Sequence, residues 1–240
     1  MTNKISKYFT TATDELFDKI STDSNAAQSY TVSGRFDWRL SAAGGNDVVT
    51  VAIGKANSVS IFALDLGAGS DTLYGGREHD YVLAGKGDDT LLSGGGGDKL
   101  YGQAGDDLLA GGEGRNLLNG GKGDDAYLAS GNDTIIDNGG DNLITVANDA
   151  TVKIELTKGA DATLVFNTDI DDLDFMNYEG DLIITTDSFP SIDDNGDIIA
   201  AKGETQVQIK ISSPKALNRS RCSPMENTHI LGRSLSMKAR

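Results

Sequence analysis

The residues of this 240-residue chain best placed to do chemistry are aspartates set among glycines at a fixed spacing. From Leu66 to Leu128 the sequence runs through seven consecutive nine-residue copies: LGAGSDTLY, GGREHDYVL, AGKGDDTLL, SGGGGDKLY, GQAGDDLLA, GGEGRNLLN and GGKGDDAYL. The register is x-G-x-G-x-D-x-U-x, where U is a large apolar residue. Its sixth place holds Asp71, Asp80, Asp89, Asp98, Asp107, Asn116 and Asp125; its eighth holds Leu73, Val82, Leu91, Leu100, Leu109, Leu118 and Tyr127. A carboxylate in nearly every copy, beside glycines that leave their backbone carbonyls unshielded, makes a row of hard oxygen donors. An unbroken period of this kind is the mark of a repeat architecture.

The elements that must position these donors follow from the copy itself. Each nonapeptide divides into a six-residue turn and a three-residue strand. Glycine at the second and fourth places lets the turn take positive φ. The x-U-x strand alternates faces, so U points one way and its neighbours the other. One such strand is unstable alone, whereas a stack of them buries a continuous apolar row. The turns then offer carbonyls and a carboxylate, and six to eight such oxygens at about 2.3–2.6 Å suit Ca²⁺. A flexible linker has no reason to hold an apolar residue at every eighth place. The doublets Asp88-Asp89, Asp106-Asp107 and Asp124-Asp125 invite a glycosidase reading. Adjacent side chains diverge, however, and the repetition argues for scaffold; the first aspartate of each doublet is expected to face solvent.

On these residues the segment resembles the nonapeptide array of RTX (haemolysin-type) calcium-binding proteins, over roughly residues 44 to 211. The resemblance implies an all-β fold, a parallel β-roll in which two nonapeptides make one turn and each ion lies between copies eighteen residues apart. It implies that Asp71, Asp89, Asp107 and Asp125 stack on one edge, and Asp80, Asp98 and Asn116 on the other. The turn glycines Gly69, Gly87, Gly96, Gly105, Gly114 and Gly123 join them as metal-site residues. Up to about five Ca²⁺ ions follow, on the stacking logic of a solenoid. The second edge is the poorer one. Glu78 replaces its fourth-place glycine between Arg77 and His79, and Asn116, beside Arg115, supplies an oxygen without charge.

Four segments are expected. Residues 1–43 form an N-terminal cap, with a short helix over 13–21 from Thr13 and then strands. Residues 44–150 form the roll, regular over 66–128, with a degenerate copy around Asp47 and decaying copies at Asp133 and Asp141. Residues 151–211 form a β-hairpin capping module, with a hairpin at Glu179-Gly180-Asp181 and a strand at 205–211. Residues 212–240 form a basic tail expected to be disordered. SIDDNGDIIAAK, 191–202, fails as an EF-hand, because Ser191 and Lys202 fall at the terminal ligand positions; it reads as a polar hairpin.

Composition narrows the function. The net charge is −15. The tail sets Lys215, Arg219, Arg221, Arg233, Lys238 and Arg240 against Glu226, a net of +5, which leaves −20 on the first 211 residues. That self-repulsion opposes a compact unliganded roll, so folding is expected to depend on metal. An acidic surface also argues against nucleic acid. Cys222 is the one cysteine, so no internal disulfide forms. There is no transmembrane run, and residues 1–25 lack the apolar core of a signal peptide. The resemblance implies export through type I secretion machinery by an uncleaved C-terminal signal, hence a secreted, extracellular protein. The basic tail departs from the family's acidic or apolar end, as a frameshifted terminus would.

Two histidines, His79 and His229, exclude an HExxH zinc site. No G-x-S-x-G elbow, P-loop or dinucleotide fingerprint occurs. The reading is a non-enzymatic, secreted calcium-binding module that folds on Ca²⁺ and associates with a cell surface or polysaccharide. The initiator Met and apparent N-terminal cap favour it. The alternative is the C-terminal folding and secretion module of a larger RTX enzyme, such as a protease, lipase or polysaccharide epimerase. A third reading, an enzyme acting on acidic polysaccharide, meets the objection that the roll face is itself acidic.

Overall fold

The computed structural model describes residues 18–21, 26–32, 38–51, 61–157, 159–167, 174–178, 181–185, 191–192, 198–199, 206–210 and 233–238. Among them every regular element is a strand. The chain winds between two parallel sheets. The first takes, in order, Asp18–Ser21, Trp38–Ser41, Ile61–Ala68, His79–Lys86, Lys99–Ala104, Leu117–Lys122, Thr134–Asp137 and Thr151–Leu156. The second takes Ser29–Val32, Val48–Val51, Thr72–Tyr74, Thr90–Leu92, Leu108–Ala110, Ala126–Ala129, Gly140–Val146 and Ala160–Phe166. Alternate copies feed alternate sheets, so two nonapeptides make one turn of a parallel β-roll. Leu100 lies opposite both Val82 and Leu118, and Leu109 opposite both Leu91 and Tyr127.

The apolar place fixes this register. All seven U residues are fully buried, and Ile135, Ile144 and Ile154 carry the two rows onward. A three-residue strand such as Thr90–Leu92 buries only its central side chain. Stacking joins these single residues into one core, each worth about 1.5–3 kcal/mol relative to exposure. A slip of one residue would turn every U outward, so the pairing has no competing register.

The ends differ from expectation in two places. Residues 18–21, assigned to a capping helix, instead form a strand parallel to Trp38–Ser41; the rest of that helix, 13–17, lies outside the described residues. A nine-residue helix is marginal alone, whereas the open edge of the first sheet offers ready backbone partners. In the tail expected to be disordered, Arg233–Lys238 runs antiparallel to Ala160–Phe166. Its Ser234-Leu235-Ser236-Met237 alternation has the strand period, which the overall basic composition masked.

At the other open edge, Gln206–Lys210 pairs parallel with Thr151–Leu156, and Asp181–Thr185 and Asp174–Tyr178 then add antiparallel strands. Tyr178 pairs with Asp181 across the expected hairpin. Reversing strand direction ends the solenoid. Ser191–Ile192 and Ile198–Ile199 pair as a small separate hairpin, in keeping with the failed EF-hand match.

Candidate metal centre

The turns that join the first sheet to the second share one edge of the roll. Asp71, Asp89, Asp107 and Asp125 stand there one above another, each at most 2% exposed. The backbone N–H of each donates to Oδ1 of the next layer: Asp71 to Asp89 at 2.7 Å, Asp89 to Asp107 at 2.8 Å and Asp107 to Asp125 at 2.9 Å. The row extends both ways. Asp47 donates to Asp71 Oδ1 at 2.7 Å, and Asp125 donates to Asn142 Oδ1 at 2.8 Å. The degenerate copy around Asp47 is therefore a full layer. The copy after Leu128 is displaced from its expected phase, with Asn142 in the inner row and the neighbouring Asp141 exposed.

The opposite edge is shorter. Asp80 donates to Asp98 Oδ1 at 2.9 Å, and Asp98 to Asn116 Oδ1 at 2.9 Å. Asn116 turns its amide Nδ2 toward Asp133 Oδ1 at 2.8 Å, and Asp133 Oδ2 accepts from the Ser130 N–H at 2.9 Å. Asp133 thus has donors on both oxygens. The exposed fifth place carries His79, whose Nδ1 accepts from the Gly97 N–H at 2.7 Å.

The six named glycines all take positive φ, from +114° at Gly87 to +139° at Gly69. Their absent side chains leave room for the previous layer. A Cβ on Gly87, Gly105 or Gly123 would collide with the carbonyl oxygen of Gly69, Gly87 or Gly105 in turn. On the second edge the carbonyls of Glu78 and Gly96 press on Gly96 and Gly114 in the same way. Each edge therefore carries two parallel columns, one of turn carbonyls and one of buried carboxylates.

Most of the column carboxylates are only half satisfied, and Asp80 is not satisfied at all. Oδ2 of Asp47, Asp71, Asp80, Asp89, Asp98, Asp107 and Asp125 is buried without a donor, as is Oδ1 of Asp80. Among the described residues no lysine or arginine pairs with them. Burial pushes the carboxyls of Asp71 and Asp107 up to about 6 and those of Asp80, Asp89 and Asp125 up to about 7. Neighbouring charges add to this, Asp98 on Asp80 and Asp107 on Asp89. A buried anionic oxygen with no partner costs several kcal/mol unless a proton or cation meets it. The oxygen-only donor set fits Ca²⁺. Among the described residues no three His, Cys, Asp or Glu side chains cluster. Successive-turn carboxylates would therefore be completed by turn carbonyls rather than by a third acidic side chain.

The expected divergence of the aspartate doublets holds: Asp88, Asp106 and Asp124 are exposed while Asp89, Asp107 and Asp125 are buried. An outer hydrogen-bond ladder escaped the sequence reading. Asp88 Oδ1 accepts from Asp106 N–H at 3.0 Å, Asp106 from Asp124 at 2.8 Å and Asp124 from Asp141 at 2.8 Å. The recurrence of acid at the fifth place of alternate copies was its available signal.

The family model of the RTX calcium-binding nonapeptide repeat (four copies) matches this chain twice, over residues 65–100 and 92–127. No curated protein matches it. The two matches cover the stacked turns from Asp71 to Asp125 and end where the eighteen-residue phase is lost, so residues 65–127 of this chain are an array of RTX calcium-binding nonapeptide repeats.

Proposed function

We propose that this calcium-binding module is secreted, folds when it meets Ca²⁺ outside the cell, and acts there as a non-catalytic structural or surface-binding element. The observation that carries the proposal is the column of buried carboxylate oxygens without donors, Asp71, Asp89, Asp107 and Asp125 foremost. In metal-poor solution these groups oppose the fold, because each must hold a proton or remain an uncompensated buried charge. Bound Ca²⁺ supplies the positive charge that lets both oxygens stay ionised inside the turn. The chain's own contribution is positional. N–H groups of one layer hold Oδ1 of the next, which leaves Oδ2 buried and free of protein donors. Gly69, Gly87, Gly105 and Gly123 let the carbonyl column approach. On the second edge Asp80, Asp98 and Asn116 offer the same arrangement with less charge.

A non-catalytic role is supported by the doublets, whose two carboxylates face different environments and do not converge on one reacting atom. Export through type I secretion machinery suits a chain carrying −20 over its first 211 residues, which low cytosolic calcium would leave unfolded. Per-site affinity in the range of extracellular modules, about 10⁻⁴–10⁻³ M, matches that role. A cell-surface component or polysaccharide is the partner class proposed.

Limited proteolysis tests the reading. Lys86, Lys99, Arg115 and Lys122 are exposed trypsin sites within the array. Rapid cleavage at all four in chelator, and protection in millimolar calcium but not magnesium, is expected. Equal cleavage in both would sink the proposal.

A further inference from the structure

Two residues near the end of the regular array leave its pattern together. In the first-edge turns the first place of the nonapeptide faces the interior and is Leu66, Ala84, Gly102 or Gly120, all buried. One layer on, Ile135 lies opposite Leu118, so Asp137 falls where Gly120 fell before it. Asp137 is 0% exposed. The same turn carries Asn142 at the sixth place, where the preceding layers carry aspartate. This turn has lost the sixth-place carboxylate and gained one at its first place.

The surroundings of Asp137 are built. The Tyr127 hydroxyl donates to its Oδ2, and the Gly139 N–H donates to Oδ1 at 2.9 Å. The Gly120 N–H fixes the Tyr127 hydroxyl at 2.8 Å. Tyr127 is the only aromatic residue at the eighth place of the seven copies. Gly120 makes room for it, since a Cβ there would collide with the Tyr127 hydroxyl and with Asp125 Oδ2. The side chains of Asn142 and Asp125 lie within hydrogen-bonding reach of Asp137. Asp125 is 1% exposed, and its Oδ2 has no donor. Two buried carboxylates side by side, one with an unpartnered oxygen, repel unless a proton or a cation lies between them. Hydrogen bonds from Tyr127 and Gly139 orient the Asp137 carboxylate yet leave it lone pairs to give.

We propose that Asp125 and Asp137 form an additional calcium site that closes the first edge, with Asp137 replacing the carboxylate Asn142 lacks and Tyr127 acting as its positioning residue. The site rests on the calcium reading above and lies beyond the ions implied by the regular copies, which end at Asp125. Residues 137–142 fall outside the matched repeats.

Native mass spectrometry of the full chain, titrated with Ca²⁺, counts the ions. Asp137→Asn is expected to bind one ion fewer than the parent. Asp137→Asn with Asn142→Asp is expected to regain it, which a purely structural role for Asp137 would not produce. Tyr127→Phe should keep the saturated count and weaken one ion about 10–100-fold while sparing the rest. If Asp137→Asn does not fold, the single-ion weakening in Tyr127→Phe decides. An unchanged count in Asp137→Asn, or unchanged affinities in Tyr127→Phe, overturns the site while the regular array stands. A parent chain that binds no calcium overturns both.

Discussion

The two edges of the roll are built from the same nonapeptide, yet they solve the problem of buried charge differently. On the first edge Asp71, Asp89, Asp107 and Asp125 each keep one oxygen without a donor. On the second, Asn116 and Asp133 close the row with their own hydrogen bonds and leave only Asp80 and Asp98 unsatisfied. From Asp71 to Asp125 each layer of the first edge therefore leaves one buried oxygen for a proton or a cation. The second is partly complete as protein. The lesson is that one side chain at the sixth place, aspartate or asparagine, sets how much unpaired buried charge a turn holds.

The sharpest way to break this contrast is to remove a carboxylate that faces two layers. Asp89→Ala and Asp107→Ala should raise the calcium midpoint of folding at least tenfold, each disturbing two stacked sites. Asp98→Ala should raise it less. Equal shifts from Asp89→Ala and Asp98→Ala would dissolve the distinction between the edges.

Acidity should separate metal-free from metal-bound protein next. Burial raises the five carboxyls to about 6 to 7 from an ordinary 3.8. A raised carboxyl favours the fold only while protonated. In chelator, stability should thus be fullest below pH 4 and fall as pH rises to 7. In calcium the affinity should instead fall as pH drops through 7 to 6, because protons compete for the same oxygens. Denaturant midpoints against pH, with and without calcium, read both slopes; parallel slopes would contradict the account.

Asn116→Asp sharpens the contrast from the other side. It restores the charge of the second edge and removes the amide that satisfies Asp133. The variant should bind calcium more tightly than the parent and be less stable in chelator by about 1–3 kcal/mol. Isothermal titration and chemical denaturation would show the two effects with opposite sign.

A smaller effect is expected at Gln103, which occupies the second-place glycine position at φ 79°. Gln103→Gly should relieve about 1 kcal/mol of left-handed strain, on either side of calcium binding. Denaturation midpoints in calcium and in chelator should rise together; no rise would mean that the neighbouring layers bear no cost there.

Much of this was legible because the period is strict. Leu73, Val82, Leu91, Leu100, Leu109, Leu118 and Tyr127 were named from spacing alone, and all are fully buried. Asp47 was found despite the 24 residues that separate it from Asp71, because GGND keeps the local turn chemistry. Reading failed where the turn length changed. Layers after Asp125 and Asn116 close in 17 residues rather than 18, which moves Asn142 into the inner row and leaves Asp141 outside. Asp137 was missed for another reason. It occupies a place that is apolar or glycine in every earlier first-edge turn, so nothing in the motif marks it as a ligand. Asp18–Ser21 and Arg233–Lys238 are strands because existing sheet edges accept them, a tertiary cause with little local trace.

The central claim is that the carboxylate columns need Ca²⁺ to complete the roll. Far-UV circular dichroism during a Ca²⁺ titration, with Mg²⁺ in parallel, tests it most directly. A cooperative, calcium-specific gain of β signal that chelator reverses is the predicted result. A full β spectrum in chelator at pH 7, unchanged by calcium, would show that the apolar rows alone hold the roll and would contradict the account.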